Sequence, residues 1–200
     1  FNLRREAALR AMAALDVDLL GIQEVLSADR PALLQRWPFA VWTQERRLLA
    51  SALLSRHPIV WSQIHDLEGF ALVDAVVQTP AGMLRVYVAH LCSPKTPGHS
   101  AIRSKQLDQL ATLLRSSAEP VLLLGDLNLG SASPHWQRFA TTAGVLRPTG
   151  SPTGTWPAWL GFLGADIDHV VGRSLGIGVI APVTIPGSDH RGVMTTIALR

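Results

Sequence analysis

Apolar residues recur at helical spacing near the start of the chain and then give way to short continuous apolar runs. Over residues 3–15 the apolar positions share one helical face, which predicts a first helix. The segment 19–25 is a short apolar run with polar residues only near its end. This pattern is typical of a buried strand whose last side chains reach the edge of a sheet. Glu24 is therefore expected at the end of a strand.

The rest of the pattern predicts alternating helices and strands, separated by Pro, Gly and charged residues. Further helices are expected at residues 30–36, 101–115 and 136–143. Strands are expected at residues 48–55, 59–65, 71–78, 84–91, 121–124, 167–172, 177–183 and 193–199, with a loop at 148–159. Strands joined partly by helices and partly by short turns predict mixed sheets with helices outside, an α/β or α+β sandwich.

The composition fits one domain with an anionic partner. The chain has 200 residues, 48% of them hydrophobic, and a formal net charge of +3. This length and apolar content suffice for one core, and the modest positive charge suits phosphate without requiring it. Basic residues never form the runs of roughly five or more that mark a nucleic-acid tail, so capture of an extended polymer is not indicated.

Cysteine content and chain ends say little about the compartment. Cys92 is the only cysteine, so neither an intramolecular disulfide nor a cysteine metal cluster can form. No apolar stretch reaches the roughly 18 residues of a membrane span, and we expect solubility. The sequence opens at Phe1 with no initiator Met and no signal segment, as expected of a piece of a longer protein. A cytoplasmic domain and a membrane-tethered extracytoplasmic domain both stay open, and membrane association is expected only through an upstream anchor.

Polar residues able to bind a metal or move a proton repeatedly follow the apolar strands. They are Gln23 and Glu24, His90, Asp126 and Asn128, Asp168 and His169, and Asp189 and His190. Clustering at the ends of strands is typical of functional sites. Each position alone has a structural explanation as a turn, a cap, a solvated acid or a sheet histidine. The ordered combination of carboxylates and histidines is what favours a site.

This combination resembles the motif series of the endonuclease/exonuclease/phosphatase superfamily, especially its small bacterial members. The matching positions are Asn2, Gln23-Glu24, Ala89-His90-Leu91, Gly125-Asp126-Leu127-Asn128, Ile167-Asp168-His169-Val170 and Ser188-Asp189-His190. The resemblance implies a four-layer αββα sandwich of two mixed β-sheets flanked by helices, with a site at one rim. Residues 1–200 are expected to form a single catalytic domain that lacks part of its first strand or an upstream segment.

The resemblance also implies a role for each site residue. Metal ligands would be Asn2, Glu24 and Asp189, and the metal would be Mg²⁺ with Mn²⁺ as a substitute. Catalytic residues would be His90, Asp126, Asn128, Asp168 and His190, and Arg103 would bind substrate. By the same resemblance, Asp126 and Asn128 orient the attacking water and His90 contacts the scissile phosphate. Asp168 holds His190 in one tautomer, as other carboxylate-oriented histidines are held.

Some assignments stay open. Asp126 and His190 are both candidates for the general base, because either side chain type can take a proton from water when it is held in place. Asp166 and Asp168 compete for the contact with His190, and Asp168 is preferred because it is the Asp of Ile-Asp-His. His169 is expected to be a neighbour with no catalytic role.

The residue types suit phosphate chemistry independently of the resemblance. A phosphoester is anionic, so an attacking hydroxide is repelled until a cation and hydrogen-bond donors offset the charge. Mg²⁺ prefers oxygen ligands and keeps several waters, so a few carboxylates suffice. We therefore expect a Mg²⁺-dependent phosphoesterase that hydrolyses a phosphodiester, phosphomonoester or pyrophosphate bond by metal-assisted attack of water.

The substrate class stays open among small molecules, lipid-linked phosphates and nucleic acids, because fold and motifs do not choose among them. A DNA or RNA nuclease is the main alternative, although a compact chain without basic runs argues against duplex-specific repair. The apolar residues 156–163 suggest an amphiphilic substrate, or else ordinary core. A catalytically silent binding module and a nuclease subunit of a complex are further alternatives. No stable protein partner is expected.

Overall fold

Two layers of strands lie between two layers of helices. The computed structural model describes residues 2–44, 50–148 and 153–199, with side chains from residue 5 onward. In chain order the elements are α1 (Asn2–Ala13), β1 (Leu19–Val25), α2 (Arg30–Leu34), β2 (Phe39–Trp42), β3 (Ala50–Ser55), β4 (Ile59–Leu67), β5 (Phe70–Thr79), β6 (Gly82–His90), α3 (Pro97–Ser116), β7 (Val121–Asp126), α4 (Pro134–Ala143), β8 (Asp168–Arg173), β9 (Leu175–Ile177), β10 (Ala181–Thr184), β11 (Arg191–Met194) and β12 (Ile197–Leu199). Short 3-10 turns occupy Ser27–Asp29 and Ala158–Leu163. Within these ranges, no helix is both long and apolar enough to cross a bilayer.

The larger sheet is mixed and has the strand order β4-β5-β6-β7-β8. β6 and β7 run parallel and α3 forms the crossover between them, while the other neighbours are antiparallel. The second layer consists of three antiparallel pieces in the described residues: β1-β3-β2, β10-β11 and β9-β12. Of this layer, β3 has contacts with both β5 and β6 of the large sheet.

Three apolar clusters separate the four layers. Side chains alternate across β5, so that Leu72 packs with the cluster under α3 and α4, whereas Val73 packs with the cluster between the strand layers. A third cluster, which includes Ile22, Leu33 and Trp37, joins β1 to α2. This arrangement confirms the predicted α/β sandwich.

Most predicted elements are found, and the differences concern their ends. The segment 39–42 forms β2, which the sequence pattern did not indicate. Residues 177–183 and 193–199 were each expected as one strand, but each is broken. Gly178 N donates to Thr196 O at 2.8 Å, so the two segments cross at this point and do not continue as straight strands. Residues 48 and 49 of a predicted strand lie outside the described residues.

An open groove runs along the outer edge of β1. Among the described strands, β1 pairs only with β3, so its other edge faces the groove. The strands β10–β12 form the opposite wall, and Leu122, Leu124 and Val170 of the large sheet are also part of the lining. The cavity has a volume of about 1820 Å³, and its lining includes several of the predicted site residues.

Candidate active site

Three neighbouring strands of the large sheet place polar side chains in a row at one edge. His90 is the last residue of β6, Asp126 is the last of β7, and Asp168 is the first of β8. His90 is paired with Asp126 in the parallel register, and Asp126 with Asp168 in the antiparallel register. The apolar residues of β7 fix this alignment, since a slip of one residue would turn their side chains to the wrong faces.

Gly125 allows β7 to approach β6 next to this row. Its φ of 146° is a conformation that residues with side chains rarely adopt. A Cβ atom at this position would overlap the carbonyl oxygen of Ala89 on β6. Glycine is therefore required directly before Asp126 by both backbone conformation and space.

The turn after β7 fixes the carboxylate of Asp126. Asn128 adopts a left-handed conformation with a φ of 48°, which Asn tolerates better than most residues. Its backbone N donates to Asp126 Oδ1 at 2.7 Å, and its side-chain Nδ2 donates to Leu91 O at 2.9 Å. Arg103 on α3 donates from Nη1 to the carbonyl oxygen of Asn128. The structure thus shows Arg103 supporting the turn, and its contact with substrate stays a prediction.

His190 reaches the row from the loop between β10 and β11. Its Nδ1 lies 2.9 Å from Asp168 Oδ2, the contact that the expected role of Asp168 requires. The backbone N of His190 donates to Ser188 Oγ at 3.0 Å, which stabilises the loop conformation. Asp168 and His190 therefore meet although they are 22 positions apart in sequence.

The neighbouring residues Asp166 and His169 have other partners. Asp166 forms an ion pair with Arg147 at 3.2 Å, away from His190. His169 is buried, its Nε2 lies 2.7 Å from Leu129 O, and burial lowers its pKa to about 4. Both side chains hold loops of the fold, in agreement with the preference for Asp168 as the partner of His190.

Glu24 stands at an irregularity of β1. The pairing of β1 with β3 shifts register between Ile22 and Val25, and Glu24 in this bulge has a φ of 55°. A bulge redirects a side chain at the edge of a sheet, and an unusual backbone conformation often marks a functional position. Glu24 is exposed and lines the same groove as His90 and Asp126.

The titratable side chains of the site have shifted pKa values. Burial and the neighbouring carboxylate of Asp168 raise the pKa of Asp126 to about 7, despite the hydrogen bond from Asn128. Burial lowers the pKa of His190, but the hydrogen bond to Asp168 and the surrounding carboxylates outweigh this effect and raise it to about 9. Burial is also the main reason that the pKa of His90 is lowered. At neutral pH the site therefore contains two different groups. The carboxyl of Asp126 can take up or release a proton, and the imidazole of His190 is charged.

The donor atoms fit a divalent cation. Ligand atoms of Asp126, Asp168 and His190 all lie within 4.8 Å of one another. Carboxylate oxygens are ordinary ligands of such ions, and an imidazole becomes one once it has lost its proton, so a cation would offset the two neighbouring carboxylates. The sequence predicts these three residues as catalytic but does not indicate that they form one group of ligands, because they come from three separate segments.

The predicted metal ligands are residues other than this group of three. Glu24 and Asp189 line the same groove as this group of three. The carboxylate of Asp189 accepts a hydrogen bond from Trp156 Nε1 at 3.2 Å. The side chain of Asn2 lies outside the described residues.

Thr155 is a supporting residue whose role in the site was not predicted from the sequence. Its side chain is buried, and its hydroxyl accepts hydrogen bonds from the backbone N of Ile167 and of Asp168, each at 3.2 Å. Its carbonyl oxygen accepts from Arg191 N at 2.8 Å. One residue thus connects the segment of Asp168 to that of His190. A Thr among Gly and Pro in a loop carries no signal of such a role.

The sandwich and its rim of carboxylates and histidines define a class, the metal-dependent hydrolases of phosphoric esters. The chain belongs to the Endonuclease/Exonuclease/phosphatase family, whose model matches residues 1–190. No curated protein sequence matches the chain.

Solved structures of this fold resemble the protein over nearly its whole length. TDP2 of D. rerio complexed with a single-strand DNA product is 18% identical, with a TM-score of 0.78 over 96% of this chain and 92% of that one. Sphingomyelinase C from Streptomyces griseocarneus is 19% identical, with a TM-score of 0.71 over 96% and 88%. A Staphylococcus aureus beta toxin mutant with bound magnesium ions is 13% identical, with a TM-score of 0.77 over 100% and 93%. At these identities the likeness shows the fold alone.

Proposed function

We propose that the protein hydrolyses a phosphodiester, phosphomonoester or pyrophosphate bond by metal-assisted attack of water. The observation that carries this proposal is the convergence of Asp126, Asp168 and His190, whose ligand atoms lie within 4.8 Å of one another beside an open groove. Mg²⁺, with Mn²⁺ as a substitute, would be held by carboxylate oxygens of this groove and would supply positive charge to offset the phosphate. Glu24, Asp189 and Asn2 remain the predicted metal ligands.

Asp126 is our candidate for the general base. Both of its carboxylate oxygens accept hydrogen bonds from Asn128, at 2.7 Å and 3.3 Å, and this holds the carboxylate in one orientation. A base held in fixed geometry removes a proton from water more effectively than a mobile one. Asn128 contributes by fixing this orientation.

His190 and His90 are the candidates for contact with the phosphate. The Nδ1 of His190 is engaged by Asp168, so Nε2 is the ring nitrogen that can donate to a phosphate oxygen or to the leaving group. The adjacent carboxylate favours the charged imidazolium, which stabilises developing negative charge. His90 Nε2 lies 3.7 Å from Asp126 Oδ2, at the β6 end of the row.

The proposal is tested by hydrolysis of bis(p-nitrophenyl) phosphate and p-nitrophenyl phosphate with Mg²⁺, with Mn²⁺ or with EDTA. The parent protein is compared with Asp126→Asn and with Asp108→Asn as a matched control, because Asp108 is an exposed aspartate on α3. We expect metal-dependent turnover in the parent and the control and its loss in Asp126→Asn. Turnover that persists in EDTA, or in Asp126→Asn, contradicts the proposal.

The single catalytic domain over residues 1–200 also remains a proposal. All the core motif positions of the family pattern are occupied, which argues against a catalytically silent binding module. The substrate class is not decided by the fold, since similar structures include a DNA complex and a sphingomyelinase.

A further inference from the structure

A cluster of large apolar side chains projects from the fold next to the site. We call residues 156–163 the apolar loop. Within it, Trp159 and Phe162 are each 80% exposed and Leu163 is 70% exposed. Such a concentration of exposed apolar surface is unusual for a monomer and marks an interaction surface.

The apolar loop is not a cover of the core. Its 3-10 turn, Ala158–Leu163, contains no buried residue. Gly161 breaks the turn with a φ of 56°, and no atom lies within 4 Å of the position that a Cβ would take there. The alternative that this stretch is ordinary core is therefore wrong for the tip of the loop.

The base of the apolar loop is joined to the segment that carries His190. Trp156 Nε1 donates to the carboxylate of Asp189 at 3.2 Å, and Ala158 N donates to Asp189 O at 2.7 Å. The rings of Trp156 and His190 lie 6.4 Å apart. A surface that contacts the tip of the loop is thus held at a fixed position relative to the site.

The charge pattern selects among partners. No charged residue occurs between Arg147 and Asp166, so the loop has no cation for the phosphates of a nucleic acid, which are bound mainly through Lys and Arg. Trp is instead enriched in the interfacial region of a lipid bilayer, and Trp, Phe and Leu form the apolar faces of segments that lie in it. An uncharged tip of Trp, Phe and Leu side chains therefore matches the interfacial region of a lipid bilayer.

We propose that the apolar loop inserts into a lipid surface, so that the site acts on the phosphate ester of an amphiphile presented there. This inference rests on the proposed function, because it names the substrate class of the same site. The loop docks the protein on the surface, and the hydrogen bonds at its base hold His190 and Asp189 next to the headgroup layer.

Binding is tested with the full chain in EDTA, by sedimentation with unilamellar phosphatidylcholine vesicles. The variant Trp159→Ser/Phe162→Ser is compared with Leu146→Ser/Val60→Ser, a matched control whose side chains are 69% and 50% exposed outside the loop and do not line the groove. We expect the loop variant to lose about tenfold or more in vesicle partitioning, since each large apolar side chain contributes substantially when it leaves water. The control should bind as the parent does.

Activity is tested with a short-chain polyprenyl pyrophosphate and a short-chain phosphatidic acid, each below and above its critical micelle concentration. The rate on at least one should rise above that concentration in the parent and the control, but not in the loop variant. Hydrolysis of bis(p-nitrophenyl) phosphate should be equal in all three proteins.

The outcomes separate this inference from the proposed function. A parent protein that hydrolyses bis(p-nitrophenyl) phosphate but binds vesicles no better than the loop variant overturns the inference alone. Self-association in the absence of lipid that the loop variant loses would assign the loop to a second copy of the chain, and would also overturn it. Loop-dependent vesicle binding without hydrolysis of any phosphate ester would refute the proposed function and the substrate class, while docking stands.

Discussion

Two buried aspartates on the same sheet show what distinguishes a structural carboxylate from one at a site. Asp74 on β5 is fully buried, and Arg85 on β6 donates to both of its oxygens, from Nε and Nη2, at 2.8 Å each. His65 on β4 adds a third contact at 2.8 Å. Asp126 on β7 is only 6% exposed, yet it has a second carboxylate, Asp168, as its neighbour across the strand pair.

The difference lies in how the charge of each carboxylate is compensated. Asp74 is matched by a cation in bidentate geometry, and its hydrogen bond raises the pKa of Arg85 further above the usual value. Asp126 receives hydrogen bonds from Asn128 and has a raised pKa of about 7. Burial of a carboxylate without a bound cation destabilises the fold. A metal ion or a proton therefore stabilises the protein more at Asp126 than at Asp74.

Replacement of Asp126 should have the largest effect on activity. We expect Asp126→Asn to lower the turnover of bis(p-nitrophenyl) phosphate by about a thousandfold, the usual scale for loss of a positioned base and ligand. Its thermal stability in EDTA should be equal to or higher than that of the parent, because an uncompensated charge is removed. Both are measured on the same preparation by steady-state kinetics and thermal unfolding. A large loss of stability would remove the contrast with Asp74.

Replacement of Asp74 should produce the opposite result. Asp74→Asn leaves the Arg85 guanidinium without its bidentate partner, so we expect the free energy of unfolding to fall by about 3 kcal/mol. Turnover at a temperature where the variant is folded should stay within a few-fold of the parent. Urea unfolding monitored by circular dichroism gives the first quantity. Activity that falls as far as in Asp126→Asn would show that the two carboxylates do not differ as described.

Loss of the Asp168 carboxylate tests how Asp168 controls the protonation of His190. In Asp168→Asn the acceptor of the His190 Nδ1–H loses its charge, so the pKa of His190 should fall from about 9 towards the ordinary value. Turnover should fall by about a hundredfold, on the scale of a lost acid–base or orienting group. NMR titration of the imidazole in EDTA measures the pKa. An unchanged pKa of His190 would mean that groups other than Asp168 stabilise its charged form.

The smallest effect concerns pH and metal affinity. The carboxyl of Asp126 must be ionised to bind a cation, and its ionised fraction rises as the pH increases through about 7. The affinity for Mn²⁺ should therefore weaken by about tenfold between pH 8 and pH 6 if one proton is displaced. Calorimetry at the two values checks this, with Asp126→Asn as the control whose affinity should vary less.

The sequence predicts the strand ends of this site better than its surroundings. His90, Asp126 and Asp168 each follow or begin an apolar run, and strand periodicity alone is enough to place such residues at the edge of a sheet. β2 was missed because its four residues carry too little alternation. The last strands were predicted too long because their break depends on contacts between segments distant in sequence.

Side-chain partnerships were the least accessible information. The contact of Asp74 with Arg85 and His65 joins three strands, and only the lone Asp within an apolar run hints at it. Thr155 acts through backbone groups of residues 12 and 13 positions away, which no local pattern encodes. Local propensity determines elements, whereas tertiary packing determines which polar groups meet.

The row of His90, Asp126 and Asp168 also bears on how the chain folds. The parallel pairing of β6 with β7 spans the whole of α3, and His190 arrives from still further along the sequence. Contacts between such distant segments cost loop-closure entropy, so we expect them to form late in folding. Cation binding should thus be confined to the completed native state and should stabilise it by mass action. Metal binding to this row can therefore be used to follow folding. The appearance of metal affinity during refolding would mark the time at which the large sheet is complete.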